Sequence, residues 1–242
     1  MKLTEALLKL GFVQSHLDYS LFTKKNDASI LILLVYVDDL LITGSNIDII
    51  TQTKEMLQKT FKIKDLGELR YFLGIKFTRS EKGILMHQRK YTLEIISEAG
   101  LGAARPASTP MDPNTKLTTI EYDEMITANK GEDEKKSISS EDKLLQDAGV
   151  YRRMVGKLLY LTVTRPYISF AIQTLSQFLH QTKQSHLDVA MRVVRYIKGQ
   201  AGLGILLSSK PSKKMAVLCD ADWATCLNTR RSVSGFLIKY GD

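Results

Sequence analysis

Leu34-Val35-Tyr36-Val37-Asp38-Asp39-Leu40-Leu41-Ile42-Thr43-Gly44 places two adjacent carboxylates at the crest of an otherwise apolar stretch, with residues 30–37 before the doublet and 40–43 after it. Two apolar, β-rich runs broken by a two-residue polar step predict a hairpin. Hairpin tips ordinarily take Asn-Gly or Asp-Gly, because the turn demands positive φ at its central residues; an Asp-Asp pair meets that preference poorly and adds repulsion. Two unit charges about 5 Å apart repel by under ~1 kcal/mol in water and by roughly 3 kcal/mol at an effective dielectric near 20. A partly buried pair therefore raises a carboxylate pKa or attracts a cation. Mg²⁺ takes hard oxygen ligands from one or two carboxylates plus substrate phosphates, so paired Asp on a rigid hairpin suits two-metal phosphoryl transfer. Taken alone, the doublet reads first as an exposed acidic turn; its flanking residues reverse that reading.

Outward from the hairpin, the pattern alternates between strands and helices. Leu3, Ala6, Leu7 and Leu10 share one helical face, stopped by Gly11, and a strand over 19–23 precedes the doublet. Asn46 is placed to cap a helix running to about residue 59, with Ile47, Ile50, Met56 and Leu57 available for its buried side. Strands over 70–78 and 84–87 flank the turn Ser80-Glu81-Lys82-Gly83, and a helix over 90–99 ends at Gly100. Residues 103–115 carry three prolines and read as a linker. Three helical patterns follow over 151–163, 167–180 and 186–198, then strands over 204–207, 215–219 and 233–238. The class this predicts is α+β.

At 242 residues, 44% hydrophobic and 25% charged, the chain has the length of one to two domains and the apolar content for a core. Its longest apolar run, 30–37, is far too short to span a bilayer, and no signal-peptide pattern follows Met1, so a soluble intracellular protein is expected. Cys219 and Cys226 are the only cysteines and lack the paired spacing of a zinc site; they read as reduced. Net charge is +8, unevenly spread. Residues 118–148 hold nine acidic and four basic residues, net −5, against 30 basic and 17 acidic elsewhere, net +13. An excess of that sign favours polyanion partners, although scattered lysines serve equally as a solubility face. The 118–148 stretch is polar and poor in aromatics, which predicts a disordered insert, with 131–142 as the inserted part.

The ordered series of motifs resembles the reverse transcriptases of copia-type long-terminal-repeat retrotransposons. The doublet and its flanks are similar to the palm signature of that family, preceded by Gly11-Phe12 and Asp18-Tyr19-Ser20-Leu21-Phe22. Asp65-Leu66-Gly67-Glu68-Leu69, Tyr71-Phe72-Leu73-Gly74-Ile75 and His87-Gln88-Arg89-Lys90-Tyr91 continue the match in family order. Tyr151-Arg152-Arg153-Met154-Val155-Gly156-Lys157, Thr164-Arg165-Pro166, Asp220-Ala221-Asp222-Trp223-Ala224 and Thr229-Arg230-Arg231-Ser232 complete it.

The resemblance implies a partial palm and thumb over 1–117, a helical connection over 149–200, and over 203–242 the start of an incomplete ribonuclease H-like β-sheet. It implies RNA-directed DNA polymerase activity on an RNA template and DNA primer with dNTPs. Asp38 and Asp39 would bind two Mg²⁺ ions, with Tyr36 and Val37 supporting the primer end. Asp220 would correspond to the first ribonuclease H carboxylate, with Asp222 the weaker candidate; an ordinary strand-end turn with Trp223 packed beneath is the other reading. Arg192, Arg195 and Lys198 along one helix, and Arg152, Arg153 and Lys157 along another, could face a duplex backbone or simply solvent. The family's third palm carboxylate and its fingers precede the stretch matched here, and its remaining ribonuclease H carboxylates follow it. Asn228 and Tyr167 stand where the family usually has Asp. On these departures the expectation is little or no polymerisation by this chain alone, with a non-catalytic nucleic-acid-binding remnant or a decayed element product as alternatives.

Overall fold

Leu7 is fully buried on the first helix, α1 (Lys2–Lys9), and the chain leaves that helix through Gly11, whose φ of +83° is the left-handed conformation a helix end requires. In this computed structural model the described residues are 2–26, 28–112, 114–128, 142–210, 212–224 and 226–241. They form two compact units, 1–73 and 74–242.

In the first unit, β1 (Val13–Gln14), β2 (Leu21–Asn26), β3 (Ser29–Tyr36) and β4 (Asp39–Gly44) make one antiparallel sheet in chain order. Leu21, Leu34 and Leu41 stand in register across it, as do Phe22, Leu33 and Ile42. Because successive side chains alternate between faces, the second set points to one side, where Phe22, Leu31 and Leu33 bury against Leu7, Phe12 and Leu57. Leu57 comes from α2 (Ile47–Thr60), capped as expected by Asn46, whose Oδ1 accepts from the amides of Asp48 at 2.8 Å and Ile49 at 3.4 Å. Of the apolar residues expected on that helix's inner side, Ile50 packs on the core with Ile49, whereas Ile47 and Met56 are exposed. A short strand, β5 (Tyr71–Phe72), ends the unit.

The second unit carries a larger helical core. β6 (Ile75–Ser80) and β7 (Gly83–His87) form a hairpin, joined by α3 (Arg89–Glu98), α4 (Ile120–Ala128), α5 (Ala148–Leu161), a 3₁₀ turn (Pro166–Ile168), α6 (Ser169–Ser176) and α7 (Gln184–Lys198). Tyr151, Leu158, Leu161, Ile168, Ile172, Leu175, Val193 and Val194 interlock as its centre. The next strand, β8 (Gly204–Ser208), pairs with β7. Gly83 (φ +137°) makes that pairing possible, since a Cβ there would overlap the Leu207 carbonyl. Residues 204–208, read from sequence as opening a separate carboxyl-terminal sheet, therefore extend the β6–β7 hairpin instead. β9 (Met215–Asp222) and β10 (Val233–Tyr240) form a two-stranded antiparallel ribbon. The whole is α+β.

The acidic stretch departs from its sequence reading. Residues 120–128 are helical, and both flanks of the stretch are fastened to Lys183, a residue only 2% exposed. Its ammonium meets Asp123 at 2.6 Å, Asp142 at 3.0 Å and the Thr118 hydroxyl at 3.0 Å. Composition counts Asp123 and Asp142 as solvated charges; a buried counter-charge 60 and 41 positions away turns them into anchors. Residues 129–141, which hold most of the expected insertion, lie outside the described residues.

Candidate active site and nucleic-acid interface

The hairpin expected at the doublet is present, with its register one residue earlier than the polar step suggests. Tyr36 pairs with Asp39, so the two-residue loop is Val37-Asp38, and Asp39 is already the first residue of β4. Val37 takes a φ of +50°. A β-branched side chain is disfavoured there by about 1–3 kcal/mol, a strain that persists only where surrounding structure imposes it and that concentrates at functional sites. Here the paired strands on both sides impose it.

Strand alternation decides where the side chains point. Val35 and Leu40 face the helix-backed core, so their neighbours Tyr36 and Asp39 project from the opposite face, together with Leu34 and Leu41. Tyr36, Val37, Asp38 and Asp39 are all exposed, Val37 at 82%. Neither carboxylate accepts a hydrogen bond or ion pair from a side chain among the described residues. The pair thus presents unshared oxygen ligands on a rigid mount. Two carboxylates, with water and substrate phosphates completing an octahedron, are what Mg²⁺ ordinarily accepts, so the residues fit that ion. Among the described residues no third His, Cys, Asp or Glu joins them to make a metal-holding group.

Asp220 lies within β9 rather than at its end, paired with Gly235, and its Oδ1 accepts the Ala221 amide at 3.0 Å. It is exposed, and no metal-holding cluster forms around it among the described residues. Trp223 does not pack beneath the strand; it is 92% exposed.

The two basic helix edges are partly occupied by the protein itself. Lys198 donates to the carbonyls of Leu101, Gly102 and Ala104, the last at 2.7 Å, and so caps the segment after α3. Arg192 reaches Thr109 Oγ1 at 2.9 Å, Arg152 donates to the Leu179 carbonyl at 2.8 Å, and Lys157 pairs with Glu98. Arg153 and Arg195 form no ion pair among the described residues. Arg165 is the feature sequence reasoning missed. Its guanidinium, fully buried, donates to the carbonyls of Ile197 (3.3 Å), Gln200 (2.9 Å) and Ala201 (2.6 Å), closing the carboxyl end of α7. Only its place in Thr164-Arg165-Pro166 marked it, and an arginine's sequence neighbours do not say whether it is buried.

The comparisons with known proteins follow the same outline. Residues 1–113 match the family model described as reverse transcriptase (RNA-dependent DNA polymerase). The chain is 37% identical over 241 residues, its whole length, to the retrovirus-related Pol polyprotein from transposon RE1 of Arabidopsis thaliana, of which it spans 15%. It is 29% identical over 99% of its length to the Pol polyprotein from transposon TNT 1-94 of Nicotiana tabacum, of which it spans 17%. An uncharacterized mitochondrial protein of Arabidopsis thaliana is 35% identical over 86% of this chain and 78% of its own length. No solved structure matches. Motif order, the hairpin and these relatives agree: the chain belongs to the reverse transcriptase family of copia-type retrotransposon Pol polyproteins.

Proposed function

We propose that the chain carries the nucleotidyl-transfer hairpin of an RNA-directed DNA polymerase, with Asp38 and Asp39 as its metal-binding carboxylates. The observation that carries this reading is the exposed doublet, without a side-chain partner among the described residues, on a paired hairpin whose loop holds Val37 at positive φ. Asp38 and Asp39 would hold divalent cations, whose chemistry there would be activation of a primer 3′-hydroxyl and neutralisation of charge on a departing pyrophosphate. The chain's own part is positional. Asp38 and Asp39 hold ligand oxygens at a fixed place, Tyr36 offers an exposed ring beside them, and the sheet backed by α1 and α2 keeps the loop from yielding. In this reading the first unit is palm, the helices of the second unit supply thumb and connection, and the ribbon with Asp220 begins a ribonuclease H-like sheet. Arg153 and Arg195, which form no ion pair among the described residues, would meet the backbone of an RNA/DNA hybrid first, while Arg152, Arg192, Lys157 and Lys198 would have to exchange the protein's own groups for phosphates.

The test is dNTP binding to the chain on an RNA-template, DNA-primer hybrid, followed with and without Mg²⁺. Retention should require Mg²⁺ and fall at least about tenfold in Asp39→Asn, the usual scale for losing one member of a cooperating set. Equal retention in wild type and Asp39→Asn, with or without the ion, overturns the assignment. A second reading, a non-catalytic nucleic-acid binder, is favoured by the net +13 outside 118–148. It predicts hybrid binding that weakens on the order of 10–100-fold between 50 and 200 mM salt, independent of Mg²⁺ and unaltered in Asp39→Ala.

A further inference from the structure

The tip of the β9–β10 ribbon gathers an aromatic ring and two cations that the hairpin site does not use. Trp223, the chain's only tryptophan, is 92% exposed, far more than a ring of that size usually is in a folded domain. Arg230 and Arg231 are exposed on the returning side of the same loop, and neither pairs with a carboxylate among the described residues. The juxtaposition is fixed by cross-loop bonds. The Ala224 amide donates to Ser232 Oγ at 3.2 Å, the Cys226 amide to the Arg231 carbonyl at 3.2 Å, and the Arg230 amide to the Cys226 carbonyl at 2.7 Å. Asn228 Oδ1 accepts the Thr119 amide at 3.0 Å, tying the loop to the helical body of the same unit. Ala224 and Arg230 sit at φ of +51° and +55°, so two non-glycine residues hold a costly backbone conformation that aims the loop.

We infer that Trp223, Arg230 and Arg231 form a contact for single-stranded nucleic acid, the ring stacking on an unpaired base while the guanidiniums hold the adjoining phosphates. The charge is complementary, and an aromatic platform flanked by arginine is the recurring sequence-tolerant way to grip a single strand. A duplex hides its base faces, so the platform commits the site to unpaired nucleotides. The class of ligand rests on the nucleic-acid reading above; the residues proposed for it are other than Asp38 and Asp39.

As the sole tryptophan, Trp223 reports on its own occupancy. Titrating the chain with a single-stranded oligonucleotide of about 12 residues should quench its fluorescence and shield it from acrylamide. Arg230→Ala/Arg231→Ala, which keeps the reporter, should lose at least tenfold in affinity. Anisotropy of a labelled oligonucleotide separates the outcomes. Binding by anisotropy with no change at Trp223 overturns this inference and leaves the proposed function standing; so does quenching by an RNA/DNA hybrid but not by the single strand. Absence of anisotropy change with both single strand and hybrid overturns both readings. Quenching unaltered in the double arginine variant overturns the assignment of the two guanidiniums.

Discussion

Val37 and Arg165 show how far single positions depart from their residue type's habits. Val37 sits at φ +50°, where a branched Cβ is penalised and Asn is tolerated because its short polar side chain can bond locally. Val37→Asn is therefore expected to stabilise the first unit by about 1 kcal/mol, read as a shift in urea midpoint at constant slope. No gain would mean that the loop conformation stores no strain. Arg165 makes the opposite case. Replacing it with Leu strips partners from the carbonyls of Ile197, Gln200 and Ala201, and should cost about 3 kcal/mol or more. Arg165→Lys should restore only part of that, since a single ammonium cannot reproduce the fork that spans α7's last turn and the residues after it. Equal stability of the Leu and Lys variants would count against the capping role.

At the scale of elements, α7 is organised at its start by a buried polar cluster. His186, wholly buried, accepts the Lys183 amide on Nδ1 at 3.1 Å and meets the Thr118 carbonyl through Nε2 at 3.1 Å. Those partners assign the neutral ring with its proton on Nε2. Burial, chiefly, and the Lys183 charge hold His186 below its ordinary value of 6.5, against the opposing pull of the Thr118 carbonyl, Asp142 and Asp123. The unfolded chain thus takes up this proton at higher pH than the folded one. The stability it contributes is complete above about pH 6.5 and is lost as pH falls toward the folded value. His87, also lowered by burial first and then by Lys76, Arg89 and Arg165, adds in the same direction. Thermal unfolding between pH 8 and 5 should show the midpoint dropping below pH 6.5, less steeply in His186→Gln. Asp142 is different: burial raises it, but Ser185 and Lys183 outweigh burial and lower it, so its contribution fails only in stronger acid. A midpoint that rises on acidification to pH 5 would contradict the His186 assignment.

For the whole molecule, the decisive feature is that two cores are built separately. Leu7, Phe22, Leu31, Leu33 and Leu57 stabilise residues 1–73, while Tyr151, Leu158, Ile172 and Val194 stabilise the helical body of 74–242. Leu33→Ala should cost about 2–5 kcal/mol, by lost transfer energy and the cavity left behind. Hydrogen exchange should then quicken across β2, β3 and β4 while amides of α5 and α7 keep their protection. Uniform acceleration through both units would show that they unfold as one cooperative body.

Local pattern determined most of the elements. Two apolar runs broken by a polar step in residues 30–43 were enough for the hairpin, and Asn46 for the start of α2, because short β-rich runs and capping act over a few neighbours. The same segment, by motif, was enough for the family and for Asp38 and Asp39 as a candidate pair. Tertiary structure alone decided that Val37 rather than Asp39 occupies the loop, since register is set by what the sheet buries on its far face. It alone joined β8 to β7 across more than a hundred residues, turned Asp123 and Asp142 into anchors for Lys183, buried Arg165 and left Trp223 in solvent. A residue's charge or apolar character is written in its side chain. Which distant group meets it depends on the packed chain, and that is a property no window of neighbours contains.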